Sequence, residues 1–177
     1  MRSQDKGAYI VKISPKDNTL SNGVEYCYVG LKCKDGTNLP MSSNNRIVSI
    51  VDDDLGITMF FHEALRTIAG ITIFTFTDPV LALEHFQVNG YAYVLVISDF
   101  KMPSLNGMEL LKKIKESNRF VRTILMTAFT IDDNLFQEYT KKRIINRYLQ
   151  KPIGLHDLIK EVNTQLDSYE VQKKYPS

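Results

Sequence analysis

Three consecutive acids, Asp52, Asp53 and Asp54, follow the apolar run "IVSIV", and a single acid, Asp99, follows "VLVIS". Thr127 ends "ILMT", and Lys151 follows "RYLQ". Carboxylates brought close together repel unless something positive holds them. An all-oxygen set suits Mg²⁺, a hard ion that keeps several waters and takes one or two carboxylates together with phosphate oxygens. Lys151 adds a second positive charge and Thr127 a hydroxyl donor, so together they describe a pocket for a phosphoryl group. Taken singly, each residue has a plainer reading. Asp52 or Asp54 would cap a helix, Thr127 would be an ordinary strand residue, and Lys151–Pro152 a surface dipeptide. Asp99 is harder to dismiss, because an acid directly after apolar strand residues needs a partner once buried. The joint placement at the ends of four apolar runs is what argues against coincidence.

The elements that must position these residues are legible from residue 46 onward. "IVSIV" (47–51), "ITIFTF" (71–76), "YVLVIS" (93–98), "VRTILMT" (121–127) and "RYLQ" (147–150) read as strands. Most are nearly continuous in apolar character, as expected of parallel strands covered on both faces. Asp78–Pro79 is an N-cap with proline at the first helical position, and Gly90 closes that helix. Gly70 ends the helix carrying Leu55, Met59, Leu65 and Ile68. Further helices run from about Gly107 to Glu116, from Asp132 to Arg143, and from Leu155 through Leu166 or beyond. Five β/α repeats predict an α/β, doubly wound parallel sheet, since each parallel connection needs a crossover. Ligands of such sheets bind beyond the carboxyl ends of the strands, where strand order reverses. All four candidate positions fall at that edge.

Residues 1–45 break the alternation. "AYIVKI" and "VEYCYVGLKC", with turn chemistry at Asn22–Gly23 and Asp35–Gly36, make them either a β-hairpin or a disordered tail. The expected organisation is an N-terminal extension (1–45), one domain (46–169) and a C-terminal tail (170–177). The 177 residues are 44% hydrophobic and 24% charged, enough for one packed core, and the net charge of +2 is too balanced to imply nucleic acid or an anionic membrane. No apolar run approaches the roughly 18 residues of a membrane span, and no signal peptide is evident, so a cytoplasmic location is expected. Cys27 and Cys33 are too few for a disulfide framework and read as reduced thiols. His62, His85 and His156 are scattered, without metal-ligand spacing, and read as surface or half-buried.

The segments "IVSIVDDD", "VISDFKMPSLNGMELL", "ILMTA" and "YLQKPI" together resemble response regulator receiver domains of two-component signalling, over roughly Arg46 to Asp167. The resemblance implies the flavodoxin-like strand order 2-1-3-4-5. It implies that Asp99 accepts a phosphoryl group from a kinase phosphohistidine, and that Asp53 ligates Mg²⁺ while Asp52 holds its waters. Asp99 and the main-chain carbonyl of Lys101 would complete the metal set. Thr127 and Lys151 would bind phosphoryl oxygens, and Tyr148 matches the switch aromatic. Met102–Pro103 would fix the turn that aims the Lys101 carbonyl, Gly107 would let the backbone enter the next helix, and Lys151–Pro152 permits a cis peptide. Asn106 stands where many relatives have Asp, a loop change of little expected consequence. Lys101 and Phe129 flank the site at positions that tune dephosphorylation.

The expected function is a single-domain response regulator, a phosphorylation switch and not a turnover enzyme. Its output would be partner binding, or a phosphorylation-dependent homodimer, through the face made by the fourth helix, the fifth strand and the fifth helix. The partners implied are a sensor histidine kinase or phosphotransfer protein and a downstream protein, with no direct nucleic acid or membrane contact. Rival readings are a haloacid-dehalogenase-like phosphohydrolase with Asp52 and Asp54 as its acids, a degenerate receiver that only binds protein, and a phosphate sink in a phosphorelay. The phosphohydrolase leaves Asp99 unexplained and lacks a further acidic motif after Lys151.

Overall fold

The computed structural model describes residues 46–128 and 133–175. The extension 1–45, with both cysteines, and Phe129 lie outside the described residues. The chain runs β1 (Ile47–Val51), α1 (Leu55–Leu65), β2 (Thr72–Phe76), α2 (Pro79–Asn89), β3 (Tyr93–Asp99), α3 (Gly107–Ser117), β4 (Arg122–Thr127), α4 (Asp133–Lys141), β5 (Arg147–Gln150) and α5 (Leu155–Lys174). All strand pairings are parallel, in the order β2-β1-β3-β4-β5.

Alternation of side chains along each strand divides the core into two layers. Val48 and Ile50 of β1 join Leu95, Ile97, Ile124 and Met126 against Phe61 and Leu65 of α1 and Leu158, Val162 and Leu166 of α5. Ile47 and Val51 join Phe74, Phe76, Tyr93 and Leu125 on the other face, covered by Ala82 and Phe86 of α2 and Leu110, Leu111 and Ile114 of α3. Tyr139 of α4 packs against this second layer. β1, β3 and β4 are therefore enclosed on both faces, which accounts for their continuous apolar runs. Strand order reverses between β1 and β3, and there the chain leaves Asp52 and Asp99.

Some boundaries differ from expectation. The α1 helix stops at Leu65 with Arg66 as C-cap; Ile68 still packs on the core, but from the turn that leads to Gly70 at φ 77°. The α4 helix ends in a reversal closed by Ile144 N donating to Tyr139 O (2.9 Å) and Arg143 N to Thr140 O (2.9 Å). Arg143 takes φ 57° there, the left-handed C′ position usually given to glycine. The α5 helix continues to Lys174, so residues 170–174 are helical and not a tail. His62 and His85 are buried at 3% and 6% exposure, contrary to the surface or half-buried reading, whereas His156 is exposed. The His85 ring lies against Phe74 and Phe76, with Nδ1 2.6 Å from the Tyr93 hydroxyl.

Candidate functional site

β1 delivers three acids to the carboxyl edge, and the structure gives them three different tasks. Asp54 is the N-cap of α1, its Oδ1 accepting from Gly56 N (2.7 Å) and Ile57 N (3.2 Å). Asp53 is exposed. Asp52 is 1% exposed; its Oδ1 accepts from Asp54 N (3.0 Å) and its Oδ2 lies 2.6 Å from Lys151 Nζ. The helix-capping reading thus belongs to Asp54.

β3 delivers Asp99, 7% exposed, at the neighbouring strand end. Its Oδ1 lies 2.6 Å from the same Lys151 Nζ, and its Oδ2 accepts from Lys101 N at 2.7 Å. The loop behind it is tightly built. Phe100 N donates to Met126 O (2.7 Å) and Gly107 N to Phe100 O (2.9 Å). Leu105 N donates to Pro103 O (2.7 Å) across Ser104 at φ 68°, a γ-turn in the left-handed region. A Cβ built on Gly107 would stand 2.0 Å from the Asp99 carbonyl oxygen, so only glycine lets α3 start this close to the strand end. Asn106 is the N-cap of α3, accepting from Glu109 N at 2.9 Å, so it has a structural task that the sequence reading did not give it. Asn and Asp serve that task about equally.

β4 and β5 supply the rest. Thr127 is 1% exposed, and Lys151 N donates to Thr127 O at 2.8 Å, which fixes the two strand ends to each other. The Lys151–Pro152 peptide is cis. Tyr148 is half-buried, burial pushing its phenol up, and its hydroxyl donates to Gln150 Oε1. Sequence reasoning passed over Gln150. Its place is readable from register alone, since it lies two residues after Tyr148 on β5 and opposite Thr127 on β4.

Electrostatics around Lys151 are governed by burial and by the two carboxylates. Burial pushes the Asp52 carboxyl up, and the Lys151 hydrogen bond and charge pull it only part of the way back. Burial pulls the Lys151 ammonium down, but its bonds to Asp52 and Asp99 outweigh this and leave its pKa raised, so it stays charged at neutral pH. Among the described residues no three His, Cys, Asp or Glu side chains are already gathered into a metal-binding group. Two buried carboxylates, Asp52 and Asp99, are bridged by one ammonium at this edge, and Asp53 beside them is exposed. The available donors are all oxygen, which fits a Mg²⁺ ion using one or two carboxylates plus water and phosphate oxygen. No described helix is long and apolar enough to cross a membrane.

This arrangement has close counterparts. The model of the response regulator receiver domain matches residues 48–163. The chain is 34% identical over 124 residues to the probable methanogenesis regulatory protein FilR2 of Methanothrix harundinacea, covering 66% of this chain and 78% of that protein. It is 30% identical over 128 residues to the DNA-binding transcriptional regulator NtrC of Escherichia coli, covering 72% of this chain but only 26% of that protein's length. The crystal structure of a response regulator receiver domain protein from Clostridium thermocellum superposes with a TM-score of 0.61 at 26% identity, covering 71% of this chain and 98% of that one. With its strand order, its buried acids at the carboxyl edge and these matches, the chain belongs to the response regulator receiver domain family.

Proposed function

We propose that the chain is a phosphorylation switch in which Asp99 is the phosphoacceptor. The observation that carries this reading is the position of Lys151 Nζ, 2.6 Å from both Asp52 and Asp99 at the carboxyl edge of the sheet. Receiver domains of two-component systems take up a phosphoryl group and bind Mg²⁺. Here Asp52, Asp53, Asp99 and the Lys101 carbonyl would hold that ion. When bound, Mg²⁺ supplies positive charge that neutralises the phosphoryl oxygens. One carboxylate oxygen of Asp99 attacks phosphorus while the N–P bond of a phosphohistidine breaks. The bond electrons leave with the imidazole, and an acyl phosphate forms on Asp99. The Lys101 amide holds the other oxygen and so orients the carboxylate for in-line attack. Lys151 moves its bonds to the incoming oxygens, and the Thr127 hydroxyl donates to them.

The donor in this reading is a sensor histidine kinase or a phosphotransfer protein in the cytoplasm. The chain promotes its own phosphorylation and dephosphorylation and turns over no other substrate. Its output is carried through the face built from α4, β5 and α5. A shift of Thr127 toward the phosphoryl group opens space at the end of β4, and Tyr148 on the adjoining strand turns into it. The exposed residues Lys141, Lys142 and Arg143 lie on that face. The test is incubation with a small acyl phosphate and Mg²⁺, followed by mass spectrometry of intact protein and peptides. Gain of one phosphoryl group, lost on removing Mg²⁺ and in Asp99→Asn, is expected; undiminished labelling of Asp99→Asn would sink the assignment.

A further inference from the structure

The switch pair Thr127 and Tyr148 has a third member in this chain. Among the described residues β5 is the last strand of the sheet, and no described strand lies on its outer side. In the β4–β5 register Leu125 faces Tyr148 and Thr127 faces Gln150. Side chains two apart on a strand share a face, and adjacent strands lie about 4.8 Å apart. Gln150 therefore stands beside Tyr148 along its own strand and beside Thr127 across the ladder, on the face that Leu125 turns toward α3 and α4. Gln150 is exposed and accepts the hydrogen bond of the Tyr148 hydroxyl.

We propose that Gln150 is a positioning residue, a latch that holds the Tyr148 hydroxyl at the open edge of β5 in the unphosphorylated protein. This rests on the reading of Thr127 and Tyr148 as the switch. A Tyr148 ring that turns toward the end of β4 must give up its bond to Gln150. The latch therefore lowers the fraction of molecules already in the phosphoryl-competent arrangement. Apparent affinity for a phosphoryl analogue scales with that fraction. An apolar side chain at position 150 would leave the hydroxyl without this acceptor and raise the competent population. A net hydrogen bond of ordinary strength corresponds to about a two- to tenfold change in such an equilibrium.

The experiment uses the full chain with Mg²⁺ and beryllofluoride as the phosphoryl analogue. Its two readouts are binding affinity and the ring resonances of isotopically labelled tyrosine. Gln150→Leu and Tyr148→Phe are each expected to tighten beryllofluoride binding about two- to tenfold. The double variant is expected to bind no tighter than the tighter single variant, because both changes remove one bond. If Gln150→Leu leaves affinity unchanged while beryllofluoride still shifts the Tyr148 ring resonances, the switch stands and the latch is wrong. Equal tightening by Gln150→Leu in the presence and absence of the Tyr148 hydroxyl would also overturn it, since Gln150 would then act through another contact. If beryllofluoride saturates the protein without moving the Tyr148 resonances, the switch reading fails and takes the latch with it.

Discussion

Acid should weaken this domain well before most of its carboxylates are protonated, and His85 is the main reason. The ring is 6% exposed, its centroid 4.5 Å from that of Phe74 and 5.4 Å from that of Phe76. One ring nitrogen meets Tyr93, while Nε2 is buried without a hydrogen-bond partner. Burial holds its pKa down from 6.5 to about 4. The unfolded chain therefore binds this proton near pH 6.5, and the folded protein does not until about pH 4. Between those values the unfolded state carries more protons, so stability falls as pH falls. At about 1.4 kcal/mol per pKa unit the loss is roughly 3 kcal/mol by pH 4, a large share of the ~5–15 kcal/mol that holds a domain together. His62, 3% exposed with Nδ1 3.5 Å from Glu63 Oε1, is lowered by burial more than Glu63 raises it, and so adds to the loss. Asp52 works against it, because its raised carboxyl takes up a proton sooner in the folded protein. The assay is the urea midpoint measured from pH 7 to pH 4.5 for the parent and for His85→Phe, in which Tyr93 keeps Ser49 as a hydrogen-bond partner. The parent midpoint should fall steadily and that of His85→Phe should fall less. Identical slopes for the two proteins would refute the reasoning.

Other substitutions test the site directly. Gly107→Ala places a methyl group 2.0 Å from the Asp99 carbonyl oxygen; the forced backbone shift should cost about 1–3 kcal/mol in urea unfolding and slow labelling by acyl phosphate. Lys151→Met leaves the carboxylates of Asp52 and Asp99 facing each other without their ammonium; the variant should be destabilised at pH 7, regain stability relative to the parent as the pH approaches 4, and fail to retain the phosphoryl group. A constant stability deficit across that range would count against charge repulsion as the cause. Asp53→Ala, at an exposed position, should weaken Mg²⁺ binding in a fluorescence or calorimetric titration while leaving the thermal midpoint without metal unchanged or higher. Undiminished Mg²⁺ affinity would remove Asp53 from the metal set.

The sheet and the edge that carries the acids were readable because parallel strands leave little choice. Once Asp52, Asp99, Thr127 and Lys151 each end or directly follow a strand in a β/α succession of parallel strands, their Cα atoms must gather at one edge. The strand order came from resemblance, because local sequence does not encode which strands lie side by side. Helix ends were less legible. Ile68 keeps the apolar period of α1 while belonging to a turn, and "SYEVQKK" carries too little apolar signal to separate the end of α5 from a tail. The division of labour among Asp52, Asp53 and Asp54 depends on which oxygen meets which amide within a few ångströms, which spacing alone does not specify. The His85–Tyr93 bond was invisible for a similar reason: its partners are eight residues apart on α2 and β3, and only packing brings them together.

The length of α5 sets up a gradient along a single element. Its anchored part is held by Leu158, Val162 and Leu166, and Tyr169 closes the apolar stretch. Beyond that, Val171 and Tyr175 are 60% and 76% exposed, and the last turns are tied to the sheet by polar contacts. Arg46 Nε lies 3.4 Å from Glu170, and Arg122 reaches Gln172 at 3.4 Å. Partly exposed ion pairs weaken with added salt, whereas buried apolar contacts do not. The two parts of one helix should therefore open by different routes. Amides from Glu170 onward would exchange with solvent through fraying that salt promotes, while those around Val162 would exchange only when the whole domain unfolds. The matched receiver region stops at residue 163, so a chain cut at that boundary would sever the helix inside its anchored part and forfeit both Leu166 and the Arg46 clasp on the start of β1.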